Sequence, residues 1–207
     1  MKIFCHIPRE NWIVDRMGLE YLNHSDYTIS FDSITEDTDL IWLFASWCWN
    51  QIPSGFLVSK NNFMERDKFV DHSLTYTEKT KNLINSLSEK PVMILPHWVN
   101  TSIWSKLNKH LCKNELNIPL NKFIVGSFQR DTEGFDLKTP KLEKGPDIFV
   151  QKVIEISKIK DVHVILAGWR RQYVIDRLIQ NKIDYSYFYL PDNQIINKLY
   201  NSLDLYI

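Results

Sequence analysis

The sequence has no excess of charge and no long apolar run. Lysine plus arginine (25) balances aspartate plus glutamate (25), so no overall field attracts the chain to nucleic acid or to an anionic membrane. The apolar start, MKIFCHIP, is interrupted by His6 and Pro8 and followed by Arg9, and is too brief for a signal peptide or a membrane span. We therefore expect no nucleic-acid partner, and any anion binding must come from local groups of basic residues.

Cysteine is also scarce. The three cysteines, Cys5, Cys48 and Cys112, have neither paired spacing nor the spacing of a metal site. This argues against a disulfide-stapled secreted domain, and it gives no reason to expect a bound metal or another cofactor. We expect a cytoplasmic protein, and peripheral contact with the inner face of a membrane stays compatible with that location.

The first half of the chain has the pattern of a βαβ unit. With 207 residues, 44% of them hydrophobic, the chain is long enough for one large core or two smaller ones. Short apolar runs at 2–7 and 40–44 have the length of strands, and apolar residues recur at helical spacing between them. A further helix, with Thr77 as its N-cap, and a buried strand at 91–95 are predicted next.

The second half alternates strands and helices more regularly. Strands are predicted at 123–127, 162–167, 185–189 and 204–207, and helices at 146–157, 170–180 and 192–201. Such alternation is typical of a parallel sheet that is covered by helices on both faces. A polar segment broken by Pro119 separates the halves, so we place a first domain at 1–110 and a second at 111–207. The predicted fold class is α/β with parallel sheets.

Basic residues and glycines gather where two predicted strands of the second half end, the edge at which parallel sheets bind ligands. Gly126, Arg130 and Lys144 belong to the first strand end and its long loop, and Gly168, Arg170 and Arg171 belong to the second. Arg170 and Arg171 fall in the first turn of a predicted helix, where the macrodipole opposes positive charge unless an anion lies nearby. Four of the seven arginines follow predicted strands, namely Arg9, Arg130, Arg170 and Arg171. This placement indicates a phosphate-binding rim.

Each of these residues also has an ordinary structural explanation. Arg130 and Lys144 could be solvated loop charges, and Gly168 could be a turn glycine that ends a strand. Trp47 and Trp49 follow the strand at 40–44, where packing is the commoner role of an aromatic side chain, although one of them could stack on a sugar.

The second half resembles a known enzyme family. The segments ILPHWVN, FIVGSFQRD, KLEKGPDIFVQKV, VHVILAGWRR and LPDNQIINKLYNSLDLYI are similar to the linker and donor-binding half of family 4 type glycosyltransferases. HIPRENWIVDR and LIWLFASWCWNQIP resemble the acceptor-side domain of one bacterial branch. The resemblance implies a GT-B-like fold of two Rossmann-like domains, the first on the acceptor side and the second binding a nucleotide sugar.

The resemblance also implies roles for individual residues. Arg130 and Lys144 would be the catalytic residues that neutralise a leaving diphosphate, and Gly126 would let a phosphate or sugar approach the backbone. The other implied donor-binding residues are Ser127, Gly168, Arg170, Arg171 and Leu190. On the acceptor side the candidates are Asn11, Trp12, Arg16 and Trp47. No metal-binding residue is implied.

The implied reaction transfers a sugar from a nucleotide diphosphate donor to a glycan or lipid-linked acceptor, as in polysaccharide biosynthesis, with retention and without a metal. Family members continue past the strand at 204–207 and have a longer first domain, so we expect a shortened first domain and an incomplete second one. The alternative is a non-catalytic remnant that binds a nucleotide or a partner chain. A dinucleotide enzyme of doubly wound fold is disfavoured because no GxGxxG turn follows the first strand.

Overall fold

The structure, a computed structural model, describes residues 1–9, 13–44 and 70–207. The chain divides into two compact units, Met1–Asn100 and Thr101–Ile207, so the division lies ten residues before the predicted one at residue 110. The intervening segment belongs to the second unit because it is bonded there. The Leu107 amide donates to Asn201 Oδ1 (2.8 Å), and Lys109 Nζ donates to the carbonyl of Leu203 (2.8 Å). The assignment of acceptor and donor sides to the two units stays a prediction.

The first unit contains two small parallel sheets. Its elements are β1 (Lys2–His6), α1 (Ile13–His24), β2 (Thr28–Ser30), β3 (Leu40–Leu43), β4 (Ser73–Thr75), α2 (Glu78–Asn85) and β5 (Val92–Ile94). The strand orders are β2-β1-β3 and β4-β5, and every pairing in them is parallel. The βαβ prediction is confirmed in β1, α1 and β3. Strands β2 and β4 were not predicted, because three residues are too few to show a strand period.

Two local signals explain the elements of the first unit. Burial of Ile3, Phe4 and Cys5 in succession is the mark of a strand covered on both faces. Thr77 caps α2 as predicted, because its Oγ1 accepts a hydrogen bond from the Thr80 amide at 3.1 Å and so satisfies an otherwise unpaired donor. The central strand and the cap are therefore both set by short stretches of sequence.

The second unit is a four-stranded parallel sheet with the order β8-β7-β6-β9. Its elements are α3 (Lys109–Glu115), β6 (Phe123–Ser127), a 3-10 turn (Leu142–Lys144), α4 (Pro146–Ser157), β7 (Val162–Ala167), α5 (Gln172–Gln180), β8 (Asp184–Phe188), α6 (Asn193–Ser202) and β9 (Leu205–Tyr206). The bounds of β6, α4 and β7 match the predicted ones residue for residue. The predicted α/β class with parallel sheets is confirmed.

Both faces of this sheet are buried. One face packs on α4 and α5 through Val125, Val153, Val164, Val174 and Leu178. The other face packs on α6 and on the residues that follow α3, through Ile118, Ile124, Ile165 and Leu199. Successive residues of β6 and β7 thus point to opposite layers, as the period of a strand requires. The carboxyl ends of β6, β7 and β8 meet at one edge, from which the loops of interest leave.

Helix α3 corrects the sequence analysis, which treated this region as a polar break between domains. The helix begins after Asn108, whose Oδ1 accepts a hydrogen bond from the Leu111 amide at 3.1 Å. Cys112 is buried, and the helix packs on α6. With so few inward-facing residues in seven, the apolar period is too short to be recognised in sequence. Across the described ranges no helix combines the length and the apolar character that crossing a bilayer demands.

Candidate functional site

The long loop after β6 is ordered by backbone hydrogen bonds between its two halves. Thr132 and Pro140 form an antiparallel bridge, the Glu133 amide donates to the carbonyl of Thr139 (3.0 Å), and the Lys141 amide donates to the carbonyl of Asp131 (2.8 Å). The chain therefore leaves the sheet, turns back on itself and returns to the start of α4. A loop closed in this way holds the residues at its two ends beside each other.

The same loop is fastened to the loop that leaves β7. The amide of Asp131 and Oγ1 of Thr132 both donate to the carbonyl of Arg170, at 3.1 and 3.3 Å. In return, Arg170 Nη1 donates to the carbonyl of Gly134 at 2.8 Å. Arg170 has a left-handed backbone (φ 56°), a conformation uncommon in a residue with a Cβ, and these three bonds hold it there. The two loops form one connected rim.

Four of the predicted site residues meet in one small pocket on this rim. Its lining includes Ser127, Arg130, Lys144 and Arg171, together with Gln129, Asp131, Pro146, Phe149 and Val174. The open space among these residues amounts to about 170 Å³, and no part of it is wide enough for a water molecule. Gln129 Nε2 donates to the carbonyl of Lys144 at 3.1 Å, which joins the two ends of the loop. Of these residues, Lys144 is exposed and Arg130 is half-buried, so the cationic side of the pocket faces outward.

Arg171 is the most unusual residue of the pocket. It is fully buried (0% exposed), and its Nε lies 3.4 Å from Oδ2 of Asp131. None of its three guanidinium nitrogens has a hydrogen-bond partner within the part of the chain that the structure describes. Burial lowers the pKa of Arg171, and the charge of Asp131 works against that effect. A buried guanidinium with its donors unmet is costly, so this side chain needs a reason.

The structure corrects the argument about the helix dipole. Helix α5 begins at Gln172 with Arg171 as its N-cap, so neither Arg170 nor Arg171 lies within the first turn. The anion at this helix end is supplied by the protein, because Asp131 Oδ2 accepts a hydrogen bond from the Val174 amide at 3.3 Å. The electrostatic conflict that indicated a bound phosphate is therefore answered within the chain.

Asp131 is the residue that the sequence analysis missed. It is 2% exposed, and burial raises the pKa of its carboxyl to about 6, although Arg171 acts in the opposite direction. The sequence does contain a signal for it, because Asp131 is an acid that directly follows Arg130 among the basic residues after a predicted strand. It pointed to a partner for one of the arginines.

Trp169 joins Arg130 and Arg170 at the outer side of the rim. The guanidinium carbons of Arg170 and Arg130 lie 4.8 and 5.8 Å from the centre of its ring. The ring is 45% exposed, so it combines an aromatic surface with two flanking charges. Arg130 is thereby held between this aromatic ring and the pocket.

The glycines and Leu190 lie outside the pocket lining. A Cβ on Gly126 would lie 2.5 Å from Cδ1 of Leu203, so packing against α6's end explains this glycine without a ligand. Gly168 has φ +96°, and its amide donates to the carbonyl of Phe188 at 3.0 Å, which is the role of a turn glycine. Leu190 is exposed in the loop after β8, with φ 42°.

The structure gives little information on the predicted acceptor-side residues. Asn11, Trp12 and Trp47 lie outside the described residues. Arg16 lies on α1, and its Nε is 4.0 Å from Oε1 of Glu20, one helical turn away. This arrangement is an ordinary intrahelical ion pair, and a role for Arg16 on the acceptor side stays a prediction.

A larger cavity of about 440 Å³ lies at the opposite, amino-terminal edge of the second sheet. Its charged lining consists of Lys109, Lys113, Lys122, Lys160, His110, Asp161 and Asp204. These charges largely pair among themselves, as in the contact of Lys122 with Asp161 at 3.2 Å. We favour the smaller pocket as the candidate site, because its buried cation has no hydrogen-bond partner among the described residues and because ligands of parallel sheets bind at the carboxyl edge.

Metal ligands are not gathered in the parts of the chain that the structure describes: no group of three or more histidine, cysteine, aspartate or glutamate side chains is placed to hold an ion. Metal independence stays a prediction, since this finding concerns only the described ranges. The described cysteines, Cys5 and Cys112, are both buried and unpaired.

Comparison with solved structures finds a sucrose-phosphate synthase from Thermosynechococcus elongatus, with a TM-score of 0.54 and 11% sequence identity over 99% of this chain. The match covers 49% of the synthase, so the chain spans about half the length of that protein. No model of a protein family matches the sequence, and no curated protein sequence does either. At this identity the likeness shows the fold alone, which is a glycosyltransferase-like, GT-B-like fold with Rossmann-like units. Membership of family 4 stays a prediction.

Proposed function

We propose that this protein is a glycosyltransferase that binds a nucleoside diphosphate sugar at the carboxyl edge of the second sheet. The observation that carries the proposal is the convergence of three cationic side chains, Arg130, Lys144 and Arg171, around one pocket. The fold shared with a synthase of sucrose phosphate supports the same reading. The sugar would pass to a glycan or lipid-linked acceptor, as in polysaccharide biosynthesis.

The chemistry of this transfer requires positive charge where the diphosphate leaves. The bond between the anomeric carbon and the diphosphate oxygen breaks, and that oxygen keeps the electron pair. Meanwhile the sugar develops oxocarbenium character. Fixed cations aimed at the developing negative charge stabilise this transition state, and such electrostatic stabilisation is usually the largest single catalytic contribution. Arg130 and Lys144 are the groups that we assign to it.

The start of α4 adds to the positive potential at the pocket. This helix of 12 residues begins at Pro146, and Pro146 itself lines the pocket. Gly145, with φ 62°, turns the chain into the helix. Unpaired amides at a helix N-terminus favour an anion, which here would lie between the helix end and Lys144. Because the enclosed space is narrow, the exposed Lys144 side chain would have to turn outward to admit a diphosphate.

The proposed reaction proceeds with retention and without a metal ion. The acceptor hydroxyl oxygen forms the new bond to the anomeric carbon on the face that the diphosphate leaves. Its proton passes to an oxygen of the departing diphosphate. In this scheme no carboxylate nucleophile is required, and the cations of the rim take the part that a divalent ion plays elsewhere. A cytoplasmic location, with peripheral contact between the protein and a membrane that carries a lipid-linked acceptor, belongs to the same proposal.

Calorimetric titration with UDP, GDP and ADP tests the binding half of the proposal. We expect one diphosphate to bind, and we expect Arg130→Ala and Lys144→Ala each to weaken its binding by about 10- to 100-fold, the range for losing a hydrogen bond to a charged group. Lys138→Ala is the matched control for Lys144, because Lys138 is an exposed lysine of the same loop outside the pocket lining. Arg177→Ala on α5 is the control for Arg130.

Transfer is tested separately. A folded protein that binds none of the three diphosphates would contradict the proposal. Binding without transfer to any glycan or lipid-linked acceptor, and without hydrolysis of the donor, would instead favour a non-catalytic nucleotide-binding protein. Release of the sugar from the donor, abolished by Lys144→Ala and retained by Lys138→Ala, would exclude that alternative.

A further inference from the structure

The buried pair of Asp131 and Arg171 forms an incomplete ion pair. The two side chains are 2% and 0% exposed, and the single close approach between them, at 3.4 Å, is that of Nε to Oδ2. Arginine commonly meets a carboxylate with two parallel hydrogen bonds, and this pair has none that meets hydrogen-bond geometry. Asp131 therefore balances the charge of the guanidinium, but no described residue accepts a hydrogen bond from its N–H groups.

Asp131 has other partners to hold it in place. Its Oδ2 accepts from the amide of Val174 at the start of α5, and its backbone bonds to Arg170 and Lys141, whereas its Oδ1 has no hydrogen-bond partner among the described residues. The carboxylate would thus stay in position if Arg171 turned to another anion. Arg171, by contrast, has no second partner among the described residues, and its side chain lines the pocket that Arg130 and Lys144 also line.

We propose that Asp131 competes with the donor's diphosphate for Arg171, so that the buried arginine determines specificity by binding only a ligand whose second phosphate group reaches it. This inference rests on the proposed function, because it assumes that the diphosphate enters this pocket. In the empty site Asp131 neutralises Arg171. When the ligand binds, a phosphate oxygen accepts the free guanidinium donors, and the carboxylate keeps its bond to Val174.

The competition explains which ligand the pocket selects. Arg130, Lys144 and Arg171 contribute three positive charges, and Asp131 removes one, which leaves a net charge of +2 for the lining. A nucleoside monophosphate carries about two negative charges near neutral pH, all on one phosphate group. The diphosphate of a nucleoside diphosphate sugar has about the same charge, because the sugar esterifies its outer phosphate, but it spreads that charge over two phosphate groups. Only the diphosphate offers oxygens on two phosphate groups, which can satisfy the outer cations and still draw Arg171 away from Asp131. The pocket should therefore discriminate against monophosphates.

The test is calorimetric titration of the intact protein with whichever of UDP, GDP and ADP it binds, and with the matching monophosphate. Asp131→Asn keeps the shape and an acceptor for the Val174 amide but removes the competing charge. We expect this variant to bind the diphosphate several-fold more tightly than wild type and to bind the monophosphate with a smaller disadvantage. Asp26→Asn, at an exposed acid of the first unit, makes the same change in net charge and should leave both affinities unaltered.

The arginine is tested in a background that can fold. Removing one member of a buried pair leaves the other charge unpaired, in Arg171→Met as in Asp131→Asn. We therefore combine Arg171→Met with Asp131→Asn, which replaces the ion pair by two neutral side chains. This double variant should bind the diphosphate about 10- to 100-fold more weakly than Asp131→Asn, because the captured guanidinium is gone. Thermal melts of each variant establish that it is folded.

The outcomes separate this inference from the proposed function. If wild type binds a diphosphate, but Asp131→Asn binds it no more tightly and the double variant binds it equally well, the pair is only structural and the inference fails while the proposed function stands. If folded wild type binds no diphosphate, both fail. Tighter binding by Asp131→Asn together with its loss in the double variant would establish the competition.

Discussion

Asp131→Asn also probes the buried pair through the pH dependence of stability. Burial raises the pKa of the Asp131 carboxyl from 3.8 to about 6, although Arg171 pulls it down. Because the pKa in the folded protein lies above the unfolded value, the folded state binds the proton more tightly. Protonation of Asp131 therefore adds stability as the pH falls through about 6 towards about 4, and this added stability is lost as the pH increases again. Asparagine has no proton to exchange, so this contribution is absent from the variant.

The size of the effect follows from the shift. About two pKa units correspond to about 3 kcal/mol for complete titration, and at 2% exposure solvent screening does not reduce this figure much. Between about pH 7.5 and about pH 4.5 the folded carboxyl takes up nearly a full proton while the unfolded one stays mostly ionised, so about 2 kcal/mol should be measured. We therefore expect Asp131→Asn to lose about 2 kcal/mol more stability relative to wild type at the lower pH than at the higher pH.

Urea unfolding followed by circular dichroism at the two pH values is the assay. His6 and His163, whose pKa values are lowered by burial, also contribute to the pH dependence of stability, but they are present in both proteins and cancel in the difference. Asp26→Asn, at an exposed acid of the first unit, serves as the control and should not show this change with pH. An equal difference for Asp131→Asn at both pH values would refute the reasoning. A difference of opposite sign would mean that Arg171 dominates and holds the pKa below its ordinary value.

Two further substitutions test the packing and capping of the second unit. Gly126→Ala places a Cβ 2.5 Å from Leu203 Cδ1, so we expect a loss of about 1–3 kcal/mol in urea unfolding and a smaller loss in a Leu203→Ala background. Unchanged stability with weakened nucleotide binding would instead favour a ligand-facing glycine. Asp192→Ala removes the acceptor of the Ile195 amide (2.8 Å) at the start of α6 and should cost about 1 kcal/mol of stability. Asn193→Ala, which removes no cap, is its control, and an equal cost for both variants would contradict the capping assignment.

Much of the fold could be read from local patterns, because those patterns reflect short-range physics. The continuous apolar runs of β6 and β7 and the helix that starts at Pro146 were predicted with their observed bounds. Each is long, strongly apolar or marked by a proline at its first position, so that neighbours in sequence decide its structure. The short β2 and β4 were missed because a strand of three residues shows no period and is stabilised by its partner strand.

The candidate site was predictable in its location and in its outer cations. Strand alternation fixes the carboxyl edge, and the positions of Arg130 and Lys144 at the two ends of one loop require only that the loop close. How the loop closes was hidden, since the bond from Arg170 Nη1 to the carbonyl of Gly134 joins residues that are 36 apart in the chain. Backbone acceptors of this kind have no signature in a sequence.

The sequence alone thus determined the parallel α/β class, the edge at which the loops gather and the basic residues that reach it, because periodicity and strand order depend on local chain geometry. Only the tertiary structure decided the environment of each charge. Arg170 and Arg171 are adjacent and chemically identical, yet Arg170 stacks on Trp169 near the surface, whereas Arg171 is buried beside Asp131. That difference arises because the fold buries Arg171 beside Asp131, a residue 40 positions away in the sequence. Contacts over such a distance depend on the tertiary structure and not on local sequence.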